Sequence, residues 1–410
     1  MGRSAKRVAV IGGGASGLVA ACFAADAGAQ VALFEKQKKL GRKILVTGNG
    51  RCNISNRAVD SSRYHGLNPA FVNNVFARFG PAETEDFFRS IGIPFVEGKD
   101  GKLFPASLQA STVVRCLEYE AVRRGADIRL HRRIDAIGRK GDGFALRTAG
   151  AEEHSFDAVI LAAGSCAYPP VGASRIGYEL AASLGHRIVD CFPSIIPLNV
   201  VEKGTRLLQG IKWDCSLEVL MGGKKRAGST GEVLFTGYGI SGPAALDISR
   251  AVNELVTRGE IPEILVDFFP EMSEDDLDEL IAEVAADGSK PLDFCLAGIM
   301  NDRMPAVVCG FAGVDHGKKA GDASPAEKSA VAACLKGMKL TPASPRDFTE
   351  AVVAAGGVDV RDIDPRTMES RLVPGLYITG ELLDIDGDSG GFNLQFAWST
   401  GALAGMSQQR

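Results

Sequence analysis

The chain has little of what several large classes of protein depend on. Its 410 residues carry a formal net charge of −4, which is not the basic balance of a dedicated nucleic-acid binder. No apolar run reaches the roughly 20 residues that span a membrane. The nine cysteines are scattered, with no CxxC pair and no zinc spacing, as is typical of a cytoplasmic protein. No Ser/His/Asp or Cys/His nucleophile motif stands out, so hydrolase chemistry is disfavoured.

The charge is nevertheless uneven along the chain. A basic segment runs from Arg123 to Arg147, and an acidic segment runs from Glu271 to Glu283. Both are interpreted first as solvated surface. The basic segment leaves contact with phosphate open, because clustered positive charge attracts polyanions.

The N-terminal segment has the pattern of a strand, a Gly-rich turn, a helix and a second strand. The strands are predicted at Val8–Ile11 and Val31–Phe34, and the helix at Leu18–Ala27, ended by Gly28 as a C′ glycine. The turn between them reads GGGASG. A G-x-G-x-x-G motif between a strand and a helix is the context that the dinucleotide fingerprint requires.

Each residue of this fingerprint has a physical task. Gly12 permits the tight turn, Gly14 lets the backbone approach a pyrophosphate, and Gly17 lets helix and strand pack closely. The helix N-terminus offers N–H groups and positive potential to the phosphates. Glu35, 18 residues after Gly17, is placed to accept hydrogen bonds from ribose hydroxyls. It would repel a 2′-phosphate, so NADP is not expected at this site.

The remaining pattern predicts one sheet domain with a long insertion. A buried strand at Asp157–Ser165 would join the first two strands and bring Gly164 close to the dinucleotide. Beyond Cys191 the strands become short and alternating, and a helical, charged stretch follows from Ser273. Later elements are a return strand and helix at 347–360, a strand at 375–381 and a helix in the tail NLQFAWSTGALAGM.

The predicted fold class is therefore α/β, with a Rossmann-like sheet domain interrupted by a β-rich insert that carries a small helical domain. The sheet domain would comprise residues 1–190 and 362–410. The β-rich insert would comprise 191–271 and 341–361, and the helical domain 272–340.

A second anion site is predicted near the C-terminus. A strand ends at Gly380-Glu381, an acidic Gly-rich loop follows, and two glycines ending at Gly391 open the last helix. A helix N-terminus preceded by glycines is suited to bind negative charge. The alternative is a calcium-type loop, but its Gly and Glu are misplaced. The calcium ligands of such a loop would be Asp384, Asp386 and Asp388.

The chain resembles the BaiN/RdsA-like, or aminoacetone-oxidase-like, family of FAD-binding oxidoreductases. The motifs follow the family's order along almost the whole chain. The first motif is shared by many flavoproteins, whereas the other three together are quite specific to the family. Many members carry His where this chain has Gly237, so a role for that imidazole is not carried over. The motifs are IGGGASG (11–17), TGNGRCNISN (47–56), GEVLFTGYGISGPAALDIS (231–249) and GGFNLQFAWSTG (390–401).

The resemblance implies bound FAD, a discontinuous FAD-binding domain, a β-barrel-like insert and a small helical domain. The loop from Thr47 to Asn56 would lie along the FAD, with Arg51 and Asn53 near the pyrophosphate or ring. No metal site is expected. The expected cofactor-binding residues are Gly12, Gly14, Ala15, Ser16, Gly17, Glu35, Lys36, Arg42, Lys43, Thr47, Gly48, Asn49, Arg51, Cys52, Asn53, Ile134, Ala163, Gly164, Gly380, Glu381, Gly391, Phe392, Asn393 and Leu394.

A flavin that reduces a C=C bond needs a proton donor for the second carbon. Cys52 is the first candidate, because Arg51 beside it would favour a thiolate. Tyr238 is the second candidate, and His65 is the third. For each of them, simple packing is the alternative interpretation.

The resemblance implies reduction of an activated C=C bond, with NADH or NADPH as a transient donor, since only one dinucleotide fingerprint is present. The substrate would be a 3-oxo steroid of the bile-acid type or a uridine in ribosomal RNA. Alternatives are an amine oxidase that produces hydrogen peroxide and an FAD-binding protein without turnover. No membrane association is expected, and the oligomeric state is not predicted.

Overall fold

The computed structural model describes residues 5–150 and 152–409. The chain divides into two compact units. Unit 1 comprises residues 1–191 and 353–410, and unit 2 comprises residues 192–352. The chain therefore leaves unit 1 once and returns to it, as a discontinuous sheet domain requires. How unit 2 divides into a β-rich and a helical part stays a prediction.

The strands are numbered along the chain. They are β1 Arg7–Ile11, β2 Gln30–Phe34, β3 Ser55–Asn56, β4 Tyr64–His65, β5 Phe95–Glu97, β6 Lys102–Pro105, β7 Asp127–Arg129, β8 Ile134–Lys140, β9 Gly143–Thr148, β10 Glu153–Phe156, β11 Ala158–Leu161, β12 Ile188–Ser194, β13 Leu198–Asn199, β14 Lys212–Met221, β15 Lys224–Thr236, β16 Gly239–Ser241, β17 Glu263–Asp267, β18 Met338–Leu340, β19 Val353–Val358, β20 Leu376–Ile378 and β21 Asp386–Gly387.

The α-helices are numbered in the same way. They are α1 Ala15–Asp26, α2 Phe71–Phe76, α3 Pro81–Ser90, α4 Ala110–Arg123, α5 Ile176–Ser183, α6 Pro243–Thr257, α7 Glu274–Val284, α8 Leu292–Leu296, α9 Met304–Phe311, α10 Pro325–Gly337 and α11 Phe392–Met406. Within residues 5–150 and 152–409, none of these helices is both long and apolar enough to cross a membrane.

A five-stranded parallel sheet forms the centre of unit 1, in the order β20-β11-β1-β2-β7. Val10 lies beside Ile160 on one side and Leu33 on the other. Four of the five residues of β1 are buried, as expected for a parallel strand covered on both faces. The prediction that the strands at 8–11, 31–34 and 157–165 share one sheet is confirmed.

Helices α1 and α11 pack against each other at very short range. A Cβ on Gly401 would lie 2.3 Å from the Ser16 carbonyl oxygen, and one on Gly405 would lie 2.6 Å from the Ala20 carbonyl oxygen. Only glycine permits this approach of two backbones. Most residues of α11 are buried, so the tail helix is a core element of unit 1.

Small sheets surround this core and carry the loops of the site. β3, β6 and β5 form one, β4 pairs with β21, and β8, β9 and β10 form a meander. β12 pairs with β19, the strands at which the chain leaves unit 1 and returns. The predicted return helix at 347–360 is wrong, because strand β19 occupies Val353–Val358 and continues through Gly356 and Gly357, whose φ are 84° and 137°.

Unit 2 contains a six-stranded sheet in the order β13-β16-β15-β14-β17-β18. Neighbouring strands of this sheet are antiparallel, and their buried faces form a core with the helices of the same unit. Phe235 and Phe268 stack at the centre, with ring centroids 6.0 Å apart. A barrel-like form of this sheet stays a prediction.

Candidate functional site

The Gly-rich turn at the start of α1 is closed on one side and open on the other. A Cβ on Gly12 (φ 110°) would lie 2.3 Å from the Ala162 carbonyl oxygen, and one on Gly17 would lie 1.9 Å from the Gly12 carbonyl oxygen. No atom lies within 4 Å of a Cβ built on Gly14. No side chain caps α1, so this helix end presents its N–H groups toward the open side.

Glu35 is fixed in place by the backbone. Its Oε2 accepts a hydrogen bond of 2.8 Å from the Gly13 N–H, and its Oε1 accepts one of 2.7 Å from the Gln37 N–H. Each carboxylate oxygen has a further lone pair. The carboxylate therefore stands at the end of β2, beside the turn, with acceptor capacity for hydroxyl groups of a ligand.

Five basic residues follow Glu35 in the segment 36–43, and three of them have a partner that helps to position the segment. Lys36 Nζ lies 2.5 Å from Ser174 Oγ, and burial lowers the pKa of this lysine. Arg42 donates to the Gln37 side chain at 2.8 Å. Lys43 forms an ion pair of 2.5 Å with Glu381, which joins the segment after β2 to the segment after β20.

The loop from Thr47 to Asn53 has an unusual backbone. Gly48, Asn49 and Cys52 all have positive φ, at 56°, 54° and 63°. The Thr47 hydroxyl donates to the Ile44 carbonyl at 2.7 Å. Arg51 is exposed and lies 5.0 Å over the Phe104 ring. Left-handed residues other than glycine are costly unless the surroundings fix them, and they cluster at functional sites.

The Cys52 thiol does not match the expected thiolate. The residue is fully buried, and burial raises the pKa of its thiol to about 12. The exposed guanidinium of Arg51 does not offset this desolvation. That expectation is therefore wrong, and Cys52 carries a neutral thiol at physiological pH.

Asn53 carries the most informative polar atom of the loop. Its Oδ1 is buried and has no hydrogen-bond partner in the structure. The same atom lies 2.9 Å from a Cβ built on Gly391, the residue before α11. Buried acceptors without a partner are rare in native proteins. This one marks a position where a ligand N–H or O–H would complete the hydrogen bonding.

The N-terminus of α11 faces this loop. Gly391 has a φ of 106°, and no side chain caps the helix. The Asn393 side chain instead closes the preceding loop, accepting from the Gly387 N–H at 2.8 Å and donating to the Gly387 carbonyl at 2.7 Å. The Asn393 side chain is thus engaged by its own loop. Its predicted cofactor contact, like those of Phe392 and Leu394, stays a prediction.

A hydrogen-bond network ties the loop to α11, and the sequence reasoning missed it. Ser55 Oγ donates to Gln395 Oε1 at 2.6 Å, and Trp398 Nε1 donates to the Ile54 carbonyl at 3.0 Å. Gln395 also donates to Thr84 at 2.7 Å. The available signal was a Gln and a Trp three residues apart in an otherwise apolar helix.

The carboxyl ends of β11 and β20 complete the edge of the sheet. Gly164 has a φ of 71° and no atom within 4 Å of a Cβ built on it. A Cβ on Gly380 would lie 2.6 Å from Ser16 Oγ. The buried Thr379 hydroxyl has no hydrogen-bond partner in the structure. Gly164, Gly380 and Ser16 therefore lie along the edge where the fingerprint predicts a dinucleotide.

A cavity of about 520 Å³ opens beside Lys36. Its walls also include Arg133 and Asp135. These are the residues on either side of Ile134, which is one of the expected cofactor-binding residues. Ile134 itself is buried at the start of β8. The cavity extends the open edge of the sheet beyond Glu35. Its lining residues are Lys36, Gln37, Arg133, Asp135, Pro169, Gly172, Ala173, Ser174, Arg175, Ile176 and Glu179.

The acidic loop before α11 is engaged by protein side chains. His65 Nε2 and Asp388 Oδ1 are 2.7 Å apart, and Arg63 lies 3.4 Å from the other oxygen of Asp388. Asp384 accepts from the Leu67 N–H at 3.0 Å. In the part of the chain that the structure describes, no group of three or more His, Cys, Asp or Glu is arranged to hold a metal.

Most of the basic segment from Arg123 to Arg147 is paired with nearby carboxylates. Arg123 and Arg124 share Glu120, and these guanidinium groups lower the pKa of that carboxyl to about 2, against desolvation. The other pairs are Arg124–Asp26, Arg129–Asp127, Arg133–Asp135 and Lys140–Glu153. The segment therefore carries far less unopposed positive charge than its sequence suggests.

Tyr238 lies in unit 2, between β15 and β16, and is half-buried. The Arg346 guanidinium stacks 4.0 Å above its ring and donates to Asn199 Oδ1 at 2.9 Å. Gly237 beside it has little room for a side chain, since a Cβ there would lie 3.1 Å from Gln209 Oε1.

The groups along the sheet edge of unit 1 fit an extended dinucleotide. The open turn at Gly14 and the uncapped α1 suit a pyrophosphate, and Glu35 suits ribose hydroxyls. The unpartnered Asn53 Oδ1 suits a ring N–H or a hydroxyl at the uncapped start of α11. These sites lie on elements of one unit, so a single ligand can meet them together.

Known proteins resemble this chain along its full length. The model of a family described as "HI0933-like protein Rossmann domain" matches residues 6–407. The chain is 38% identical over 411 residues to the 3-dehydro-bile acid delta(4,6)-reductase of Clostridium scindens, and 98% of each chain is covered. It is 30% identical over 406 residues to the ribosomal RNA dihydrouridine synthase of Escherichia coli, with 95% of each covered.

A solved structure shares the fold at low identity. The 3-ketosteroid delta1-dehydrogenase from Sterolibacterium denitrificans has a TM-score of 0.51 and 11% identity, covering 98% of this chain and 99% of that chain. At this identity the likeness concerns the fold alone.

Proposed function

Because the chain belongs to the HI0933-like family of FAD-binding Rossmann proteins, we propose that it reduces an activated C=C bond in a 3-oxo steroid of the bile-acid type. The chain is an FAD-dependent oxidoreductase. The observation that carries the choice of substrate is the 38% identity to the bile-acid reductase over 98% of both chains.

Ribosomal RNA is the second candidate substrate, favoured by the 30% identity to the dihydrouridine synthase over 95% of both chains. RNA affinity depends on phosphate contacts made by unpaired Lys and Arg. In the basic segment, Arg129, Arg133 and Lys140 each have a carboxylate partner. Their positive charge is thus opposed locally, and the electrostatic attraction to a polyanion is weakened. The small molecule is therefore preferred.

Different residues of unit 1 are proposed to bind different parts of FAD. Gly12, Gly14 and the start of α1 bind the pyrophosphate, while Glu35 accepts from the adenosine ribose. Asn53 and the start of α11 lie at the other end of the site. Bound FAD supplies the hydride to one carbon of the C=C bond. The N–H groups at the start of α11 would stabilise negative charge on a ligand group bound there.

We propose Tyr238 as the proton donor for the second carbon and Cys52 as the alternative. The Tyr238 ring is half-buried, and the Arg346 guanidinium stacks 4.0 Å from its centroid. Cys52 is fully buried, and burial raises the pKa of its thiol to about 12. The buried thiol is a weak acid with no exposed surface, which favours a packing role beside the cofactor.

NADH or NADPH is proposed as a transient electron donor, since the sequence contains one dinucleotide fingerprint and FAD occupies it. We further propose a cytoplasmic location and a division of unit 2 into a barrel-like part and a helical part. The boundaries are those given above, at 272 and 340. The antiparallel sheet of β13 to β18 supports the barrel-like part, and helices α7 to α10 support the helical part.

The test uses the purified, FAD-loaded protein without oxygen. The flavin is reduced with NADH, NADPH or dithionite, and an unsaturated 3-oxo bile acid is added. The expected result is reoxidation of the flavin and a product with two more hydrogens, identified by mass spectrometry. In a parallel sample, ribosomal RNA without dihydrouridine replaces the steroid. If the RNA gains dihydrouridine while the steroid leaves the flavin reduced, the second candidate is correct and the proposal is wrong.

A further inference from the structure

Arg346 in unit 2 has every nitrogen of its guanidinium group engaged. Its Nε and one terminal nitrogen donate to the two carboxylate oxygens of Glu350. The other terminal nitrogen donates to Asn199 Oδ1 at 2.9 Å. The Arg346 side chain is only 19% exposed. Because a guanidinium is planar and its N–H donors have a fixed geometry, these three hydrogen bonds fix the orientation of its plane.

The face of this guanidinium covers the Tyr238 ring. Its central carbon lies 4.0 Å from the ring centroid, well inside the ~6 Å limit of a cation–π contact. The hydrogen bonds occupy the edges of the guanidinium, so its face is the surface left for the ring. The stack therefore restricts rotation of the Tyr238 ring away from this position.

The backbone beneath the ring is fixed as well. Tyr238 lies in the turn between β15 and β16, and its carbonyl accepts from the Val200 N–H at 3.0 Å. The Gly239 N–H donates to the Thr236 hydroxyl at 3.2 Å. A Cβ on Gly239 would lie 2.3 Å from the Leu198 carbonyl oxygen, so β13 holds the turn at close range. The remaining freedom of Tyr238 thus lies in its side chain.

The hydroxyl at the far end of this ring is not engaged by the protein. It forms no hydrogen bond with any residue that the structure describes, and Tyr238 is half-buried. A phenol hydroxyl is both a donor and an acceptor. The ring is therefore held at its face, while its polar group is left for solvent or a ligand.

We propose that Arg346 is a positioning residue, which holds the Tyr238 hydroxyl in the orientation from which it gives its proton to the substrate. The inference rests on the proposed function and on Tyr238 as the proton donor. In that reaction one carbon of the C=C bond receives hydride from the bound cofactor, the other receives the Tyr238 proton, and water restores the hydroxyl. Arg346 gives up no proton itself, because a guanidinium stays charged in proteins, and it acts only through the ring.

A second arginine of unit 2 has similar surroundings but no hydroxyl beside it. Arg250 pairs at 2.9 Å with Glu254, four residues later, and its side chain is 18% exposed. Its guanidinium lies 5.6 Å from the centroid of the Phe192 ring. Arg250→Gln therefore removes a comparable ion pair and ring contact, and it is the matched control for Arg346→Gln.

The test is a double-mutant cycle on the FAD-loaded, full-length protein. The natural protein, Arg346→Gln, Tyr238→Phe and the double variant are reduced without oxygen and mixed with saturating unsaturated 3-oxo bile acid. Product formation in a single turnover is then measured in water and in deuterium oxide. Thermal unfolding of each variant reports its fold.

Loss of a cation–π contact changes an orientation equilibrium by a factor of about 2 to 30, so Arg346→Gln should slow product formation by about that factor. The solvent isotope effect should rise, because proton transfer then limits the rate more strongly. In the Tyr238→Phe background the same substitution should have no further effect. Arg250→Gln should leave the rate unchanged.

Arg346→Lys keeps a charge for the ring but loses the planar fork toward Glu350 and Asn199. Its rate should lie between that of the natural protein and that of Arg346→Gln. A structural role of the arginine alone would change the unfolding temperature without this order of rates. Arg346→Lys also carries the same cycle if Arg346→Gln does not fold.

The possible failures are distinguishable. The inference is overturned if Arg346→Gln keeps the natural rate while Tyr238→Phe is slow. It is also overturned if Arg346→Gln slows the Tyr238→Phe protein by the same factor as the natural one. A natural rate in Tyr238→Phe refutes the proton-donor assignment and the inference with it. If the protein reduces ribosomal RNA and not the steroid, the proposed substrate is wrong, and the same cycle with RNA decides the role of Arg346.

Discussion

Replacing Gly391 by Ala should weaken FAD binding much more than it weakens the fold. Gly391 has a φ of 106°, where an L side chain is strained. A Cβ at this position would also lie 2.6 Å from the Ser55 carbonyl oxygen and 2.9 Å from Asn53 Oδ1. Both distances are too short for carbon and oxygen, so the 53–55 loop must shift away from the start of α11.

Two contributions set the magnitude. A left-handed conformation costs a side chain about 1–2 kcal/mol, and overpacking of a filled site costs about 1–3 kcal/mol. The first contribution acts on stability alone. The second falls on the loop that carries the unpartnered Asn53 acceptor, so it also acts on the FAD site. If FAD binding must restore the original loop, the dissociation constant rises by about 5- to 150-fold.

Gly28→Ala is the matched control. Gly28 has a φ of 87° at the end of α1, but no atom lies within 4 Å of a Cβ built there. This variant has the strain without the contact with the loop. Thermal unfolding of the two proteins without FAD and titration of each with FAD separate the effects. Equal FAD dissociation constants for Gly28→Ala and Gly391→Ala would refute the assignment of this loop to the FAD site.

Three further predictions follow from the same structure. Tyr238→Phe should leave flavin reduction by the donor unchanged and slow substrate reduction by the ~10²–10⁴-fold typical of a lost general acid, as single-turnover kinetics would measure; an unchanged rate excludes Tyr238. Cys52→Ala should lose far less than that factor with FAD still bound, because the thiol is buried and neutral; a loss of ~10²-fold or more in the same assay would make Cys52 the acid. Glu120 has a pKa lowered from 4.5 to about 2 by Arg123 and Arg124, so its contribution to stability is complete above the unfolded value and is lost as pH falls toward 2. Glu120→Gln should therefore flatten the decline of unfolding free energy over that acid range, measured by urea unfolding at several pH values; a decline as steep as that of the natural protein would contradict this.

The sequence was most informative where the site is contiguous. The turn from Gly12 to Gly17 and the acid at Glu35 lie within one strand–helix–strand unit, and local pattern determines such a unit. The parallel neighbours of β1 also followed from pattern, because buried strands of a parallel sheet are continuous apolar runs. The fold class of unit 1 was therefore predictable without any contact information.

The rest of the site depends on contacts between distant segments. His65 lies beside Asp386 in a two-strand pair, and Ser55 donates to Gln395, across more than 300 positions in each case. The spacing of residues along the sequence does not show which distant residues will be in contact. The thiolate prediction for Cys52 was wrong for the same reason. The sequence shows the neighbouring Arg51, whereas burial by the rest of unit 1 determines the pKa of the thiol.

The pairing of β11 with β20 has a consequence for synthesis on the ribosome. β20 and α11 are made after the whole of unit 2, so until then the nascent unit 1 has an open edge at β11 and an uncovered α1. Unpaired strand edges and exposed apolar helix faces are the features that promote aggregation during folding. Unit 2 has its own buried core between Leu198 and Leu340 and is complete earlier. We expect the segment before residue 191 to complete its folding only after β20 and α11 have been synthesised. This segment is therefore the part of the nascent chain that most needs a chaperone.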